Sequence, residues 1–63
     1  MNILIAEDDK LQRENLKIMI QFIDKKLIIY EAESKYEALK ISSDNTIDIF
    51  YIDIGLKDSL AKF

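Results

Sequence analysis

Residues 2–9 read Asn-Ile-Leu-Ile-Ala-Glu-Asp-Asp, an apolar run that ends in three consecutive acids. The apolar part is too short for a helix, and its continuous hydrophobicity is typical of a parallel strand that is covered on both faces. We therefore predict a first strand over residues 2–6. Because the run has no basic lead-in and ends in acids, we interpret it as neither a signal peptide nor a membrane span, and we expect a cytoplasmic protein.

A helix is predicted directly after these acids, over residues 10–23, with Asp9 as its N-cap. Apolar residues recur at i, i+3, i+4 and i+7, which is typical of an amphipathic helix with one buried stripe. The stripe comprises Leu16, Met19, Ile20 and Ile23, widened by Leu11, Ile18 and Phe22. The residues that lie off the stripe are Gln12, Arg13, Lys17 and Gln21.

A second strand and a second helix follow. Residues 27–30 are an apolar run rich in strand-forming residues. Ser34 and Glu37 have the spacing of a capping box, which predicts a helix that begins at residue 35. Residues 42–45 prefer turns and are expected to end this helix. The residues predicted to face inward are Tyr36, Ala38, Leu39 and Ile41.

A third strand is predicted over residues 47–52, with Asp53 at its end. Strands that alternate with helices at such short crossovers indicate an α/β fold with a parallel sheet and right-handed connections. We expect the strand order 2-1-3, with two to three helices. A third helix within residues 54–63 is suggested by apolar residues at i, i+4 and i+7, but a frayed tail fits that segment as well.

Composition restricts the classes of function. The 63 residues, 49% hydrophobic and 33% charged, are typical of one globular domain near the size at which a single core is only just stable. The chain has no cysteine and no histidine, which excludes disulfides, thiolate metal sites, catalytic triads and imidazole bases. With a net charge of −3 and scattered lysines, nucleic-acid binding by this segment is disfavoured.

Acidic side chains end two strands that the order 2-1-3 makes neighbours. Glu7 and Asp8 follow the first strand, and Asp53 follows the third. The carboxyl ends of parallel strands meet at one edge of the sheet, where ligands bind. Carboxylates held together raise each other's pKa unless a cation lies among them, and we expect no basic residue at hand. The pattern therefore predicts a Mg²⁺ site beside an aspartate that can form an acyl phosphate.

Each acidic motif also has a simpler structural explanation. Acids after a strand often cap the next helix, where they interact favourably with its positive end. A single aspartate at a strand end, such as Asp53, is more often a loop or capping residue than a nucleophile. The joint placement of the acids at the ends of adjacent strands favours the site over these explanations.

Three motifs resemble the receiver domains of bacterial two-component response regulators. Residues 3–9, Ile-Leu-Ile-Ala-Glu-Asp-Asp, resemble the family's first strand with its acidic pair. Residues 31–39 resemble its second strand and second helix, and residues 48–54 resemble its third strand with the phospho-acceptor. The motifs occur in the family's order.

The resemblance covers about residues 1–58, and it implies that residues 1–63 are a partial receiver domain with half of a flavodoxin-like fold. Residues 7–15, Glu-Asp-Asp-x-x-Gln-Arg-Glu-Asn, look most like LytTR-type regulators. So do residues 53–58, Asp-Ile-Gly-Leu-Lys-Asp.

Carried over by position, the resemblance makes Asp53 the phosphorylation site and Asp8 the direct Mg²⁺ ligand. It makes Glu7 a ligand that acts mainly through water, and Gly55 a ligand through its backbone carbonyl. Asp9 falls one place past the usual acidic pair, so we interpret it first as a helix cap and second as an outer-shell acid.

The resemblance implies a phospho-accepting signalling module rather than an enzyme, with a sensor histidine kinase or a phosphotransfer protein as its partner. Receivers have five strands, with a Ser or Thr ending the fourth and a Lys ending the fifth, and this chain stops just after the third. Because both groups engage the phosphoryl group, we expect an incomplete switch with impaired autodephosphorylation.

Two other functions stay open. The chain could be a non-catalytic remnant that binds a partner or copies of itself, since the third strand would be an open apolar edge that favours a homo-oligomer. Phosphate incorporation at Asp53 would distinguish such a remnant from a phospho-accepting signalling module. A small magnesium-dependent phosphohydrolase ranks last, because it would need a second aspartate where Gly55 stands.

Overall fold

The computed structural model describes residues 1–53, so the predicted third helix and Gly55 lie outside the described residues. The described part is an α/β unit with three parallel strands in the order β2-β1-β3 and two helices, which confirms the predicted architecture and strand order. The elements are β1 (Asn2–Glu7), α1 (Lys10–Ile23), β2 (Ile28–Ala32), α2 (Lys35–Asp44) and β3 (Ile49–Asp53).

The central strand β1 forms the core, with Leu4 and Ile5 fully buried. Successive side chains of a strand point to opposite faces of the sheet. Leu4 and Ala6 pack with Ala38 of α2 on one face. Glu31 of β2, whose register partner is Ile5, binds α1 on the other face. The two helices therefore cover opposite faces of β1, as its continuous apolar run predicts.

Both helices begin at the predicted caps. The Oδ1 atom of Asp9 accepts a hydrogen bond from the Gln12 amide at 3.1 Å. The Oγ atom of Ser34 accepts one from the Glu37 amide, also at 3.1 Å. The Glu37 carboxylate accepts a hydrogen bond from the Glu33 amide at 2.8 Å. The capping box motif predicts this bond from the amide of Ser34, one residue later.

The inward face of α1 differs from the predicted apolar stripe. Arg13, Leu16, Lys17 and Ile20 are its half-buried residues. The remaining apolar side chains of the stripe are exposed: Leu11, Ile18, Met19, Phe22 and Ile23. Glu31 lies on the face of the sheet that α1 covers, and its ion pairs hold the Arg13 and Lys17 edge of the helix against the sheet. The prediction that these two basic residues lie off the buried stripe is therefore wrong.

Helix α2 also differs from its prediction in two respects. Ala38 and Ile41 pack inward as expected, but Tyr36 and Leu39 are exposed. The helix continues through residues 42–44, and the Ser42 hydroxyl donates a hydrogen bond to the Leu39 carbonyl within it. Its C-cap is Asn45, whose side-chain amide and backbone amide both donate to Ile41 O at 3.0 Å.

The outer strands are shifted relative to their predicted bounds. β2 begins one residue later than predicted and continues through Glu31 and Ala32. β3 begins at Ile49, two residues later than predicted; Ile47 packs against the core, and Asp48 is bound to Asn2. The Asp48 amide donates to Asn2 O at 2.9 Å, and its carboxylate accepts from Asn2 N at 2.8 Å. Among residues 1–53, no helix is long and apolar enough to cross a membrane.

Candidate functional site

The acidic ends of β1 and β3 lie side by side. Glu7, the last residue of β1, is the register partner of Asp53, the last residue of β3. Neighbouring strands in a sheet are about 4.8 Å apart, and register partners project from the same face. The predicted convergence of these two strand ends is therefore confirmed, although 45 residues lie between them in the sequence.

The carboxyl group of Glu7 is buried, with only 3% of the residue exposed. Its Oε1 atom accepts a hydrogen bond from the Asp9 amide at 3.1 Å. Its Oε2 atom is buried and has no hydrogen-bond partner within the part of the chain that the structure describes. A buried carboxylate oxygen without a partner is costly, which makes this atom the chemically distinctive feature of the site.

The pKa of Glu7 is raised above its ordinary value of 4.5. The largest single influence, the hydrogen bond from the Asp9 amide, lowers this pKa because it stabilises the charged form. Burial and the neighbouring carboxyl groups of Asp8 and Asp53 act in the opposite direction and together prevail. Negative charge at this strand end is thus unfavourable when no cation compensates it.

The other predicted acids have different surroundings. Asp8 lies in the bend after β1 and is exposed, as is Asp53. Asp9 is engaged at the start of α1 by the bond to the Gln12 amide, so its predicted role as a cap is confirmed. Gly55, the predicted carbonyl ligand, lies outside the described residues.

A basic residue also reaches this strand end, contrary to the prediction that none would be at hand. The Arg13 Nη1 atom donates to the backbone carbonyl of Glu7 at 2.8 Å. Its Nε atom lies 3.4 Å from Glu31, which also binds the Lys17 ammonium at 3.0 Å. Two signals in the sequence indicate this network: Arg13 and Lys17 are spaced i, i+4, and Glu31 is an acid at the end of an otherwise apolar run.

The acids do not form a complete metal cage by themselves. Within residues 1–53, no three His, Cys, Asp or Glu side chains form a group that could hold a metal ion. Mg²⁺, however, is usually held by one or two carboxylates, with waters and phosphate oxygens as its other ligands. The unpartnered Oε2 atom of Glu7 and the exposed carboxylates of Asp8 and Asp53 are oxygen donors of this kind. The residues present fit a site of few protein ligands.

Comparison with protein-family models, with curated proteins and with solved structures gives no match to the chain. The fold does not identify the activity, because small α/β units with parallel sheets support many unrelated functions. The chemistry at the ends of β1 and β3 is the remaining ground for a function.

Proposed function

We propose that this chain is the first half of a flavodoxin-like receiver domain of a response regulator, in which Asp53 accepts a phosphoryl group. The observation that supports the proposal most directly is the pairing of Glu7 with Asp53 at the ends of neighbouring parallel strands. The buried, unpartnered oxygen of Glu7 adds to it, because a water held by a bound cation would give that oxygen a partner. The motif resemblance to receivers of the LytTR type agrees with this placement.

The proposed reaction is transfer to the carboxylate of Asp53. One Asp53 oxygen forms a bond to phosphorus while the phosphorus–nitrogen bond of a phosphohistidine breaks, and the released imidazole takes up one proton from solvent. The product is an acyl phosphate on Asp53. Asp53 is exposed at the strand end, so a donor protein can reach it.

Asp8, Glu7 and Asp53 would hold Mg²⁺ at this edge, with Glu7 acting mainly through water and Gly55 through its carbonyl. When bound, the ion would neutralise charge on the transferring phosphate oxygens. Glu7 is buried and its Oε1 atom is held by the Asp9 amide, which suits a residue that orients a ligand from a fixed position.

In this proposal the chain is a signalling module of the cytoplasm and not an enzyme, and its partner is a sensor histidine kinase or a phosphotransfer protein. In the receiver family the Ser or Thr and the Lys that complete the site follow the third strand. This segment alone should therefore accept phosphate slowly and lose it slowly.

Acetyl phosphate, a small phosphodonor, tests the proposal. Incubation with Mg²⁺ should add one phosphoryl group, detected by intact mass, and the Asp53→Asn variant should remain unlabelled. Asp44→Asn changes an exposed aspartate at the other end of the fold and serves as the matched control. Equal labelling of the wild type and Asp53→Asn, or labelling that does not depend on Mg²⁺, would contradict the proposal.

A second candidate function is a non-catalytic module that associates with copies of itself. It is favoured by β3, an edge strand in which every residue from Ile49 to Asp53 is exposed. Exposed apolar edge strands are templates for pairing with another chain. The two functions differ in whether phosphate is incorporated at Asp53.

A further inference from the structure

Arg13 of α1 contacts the acidic end of β1. Only 12% of its side chain is exposed, which is low for an arginine on the surface of so small a unit. Its guanidinium extends between two strands: Nη1 donates to Glu7 O at 2.8 Å, and Nε lies 3.4 Å from Glu31. Such a planar fork holds both groups in a fixed relation.

The contact with Glu7 is made to the backbone and not to the carboxylate. Glu31 is bound by both Arg13 and Lys17, so it holds the guanidinium on the β2 side of Glu7. If the guanidinium pointed towards the carboxylates of Glu7, Asp8 and Asp53, it would neutralise their charge itself. It would then occupy the position of a metal ion. The observed arrangement leaves the Oε2 atom of Glu7 without a protein partner among residues 1–53.

Three hydrogen bonds fix the turn from Glu7 to Asp9. The Asp9 amide donates to Glu7 Oε1, and the Gln12 amide donates to Asp9 Oδ1, both at 3.1 Å. The third is the bond from Arg13 to the Glu7 carbonyl at 2.8 Å, and it is the one that comes from a charged side chain. All three bonds are charge-assisted, because two have a carboxylate acceptor and the third has a guanidinium donor. The Arg13 bond is the shortest of them, so Arg13 contributes substantially to the orientation of this turn.

We infer that Arg13 is a positioning residue for the acidic site: it holds the carbonyl of Glu7 and so sets the direction in which Glu7 and Asp8 present their carboxylates. The inference rests on the proposed function, since it concerns the same site. Arg13 does not touch the reacting atoms. Its effect should resemble that of other outer-shell partners of metal ligands, whose removal weakens metal binding about 10-fold or more.

The chain supplies a matched control for this inference. Arg13 and Lys17 each carry one positive charge, lie on the same face of α1 and bind the same carboxylate of Glu31. Of the two, Arg13 is the one with a recorded hydrogen bond to the end of β1. Arg13→Ala and Lys17→Ala therefore remove equal charge, and the difference between them isolates the contact with Glu7.

The experiment is a titration with MgCl₂, followed by the amide shifts of residues 7–9 and 53. Arg13→Ala should bind Mg²⁺ about 10-fold more weakly than Lys17→Ala, and acetyl phosphate should label its Asp53 correspondingly more slowly. Arg13→Lys keeps the charge but not the fork, and it should stay several-fold weaker than the wild type. Urea unfolding of each variant shows whether it is folded under the titration conditions, and Arg13→Lys carries the test if Arg13→Ala is not.

The outcomes separate the inference from the proposed function. If the wild type shows no Mg²⁺-dependent shifts at residues 7–9 and 53, both are overturned. If the wild type responds and Arg13→Ala binds within about twofold of Lys17→Ala, only the positioning role is overturned. Wild-type affinity in Arg13→Lys would overturn the part assigned to the guanidinium fork, because an ammonium donor would then suffice.

Discussion

At the scale of single residues, Glu7 combines two features that oppose each other. It is an ionisable side chain in the most buried strand of the fold, and its pKa is raised because burial and two neighbouring acids disfavour the charged form. Without a cation, the ionised carboxylate therefore opposes folding. Natural proteins often keep such unfavourable groups at functional sites, where a ligand compensates them.

Glu7→Gln should therefore stabilise the chain in the presence of a chelator at neutral pH, and it should weaken Mg²⁺ binding. The folded-state pKa lies above 4.5, so the cost of the charge is present at neutral pH and is lost as the pH falls through the raised pKa towards 4.5. The difference in unfolding free energy between Glu7→Gln and the wild type should shrink over that range. Urea unfolding at neutral pH and near pH 4.5 measures this difference.

Glu14→Gln is the control for this prediction, because it removes an exposed acid of α1 that is not among the groups that raise the pKa of Glu7. It should change stability little at either pH. A Glu7→Gln variant that is no more stable than the wild type in chelator would show that the buried carboxylate is already compensated by the protein.

The residues of the site were predictable from the sequence to different degrees. Glu7 and Asp53 could be placed together because the apolar runs mark the strand ends and the expected order 2-1-3 makes the two strands neighbours. Arg13 could not, because a periodicity of apolar residues takes no account of long basic side chains that bury their stems beside a sheet. The signal for it is electrostatic and depends on Glu31, a residue from another strand.

At the scale of secondary-structure elements, the first residue of each helix was predicted correctly, whereas the face that each helix buries was not. A cap is a local hydrogen bond between residues three apart, so Asp9 and Ser34 determine where α1 and α2 begin. The face that a helix buries depends on what it packs against. In this fold, α1 turns its basic edge to Glu31 and leaves Phe22 87% exposed.

The cap of α1 can be separated from the charge of Asp9. Asp9→Ala should lower the free energy of unfolding by about 1 kcal/mol, because the Gln12 amide loses its acceptor. Asp9→Ser keeps a capping oxygen without the charge, and it should remain within a few tenths of a kcal/mol of the wild type. Urea unfolding in chelator measures both.

The same pair of variants examines the second role assigned to Asp9. If Asp9 acts chiefly as a helix cap, the affinity of Asp9→Ser for Mg²⁺ should lie within about twofold of the wild-type affinity. If Asp9→Ser proves as unstable as Asp9→Ala, the stabilisation would come from charge at the helix start rather than from the hydrogen bond.

At the scale of the whole molecule, the sheet has apolar residues at an edge that nothing in residues 1–53 covers. Phe50 and Ile52 of β3 line one side of a groove of about 180 Å³ against Leu39 of α2, and they remain more than half exposed. Tyr51, on the opposite face of the strand, is 41% exposed. A strand with both faces and one edge open exposes apolar surface that pairing with another strand would bury.

We predict that the chain self-associates through an antiparallel pairing of two β3 strands. A parallel pairing would place the two Asp53 carboxylates side by side, whereas a two-fold antiparallel pairing moves them to opposite ends and brings Tyr51 opposite its own copy. Tyr51→Lys should then favour the monomer, because like charges directly opposite each other destabilise a strand pair. Sedimentation over a dilution series measures the shift.

Phe22→Lys is the matched control for this last prediction, because it places the same charge on an exposed apolar position of α1, away from the edge strand. It should leave the association of the wild type unchanged. If Phe22→Lys disperses the assembly as well as Tyr51→Lys does, the interface is the helix face and not the strand. If the wild type is a compact, cooperatively unfolding monomer at micromolar concentration, the edge is covered within the chain itself, and the pairing of β3 strands is wrong.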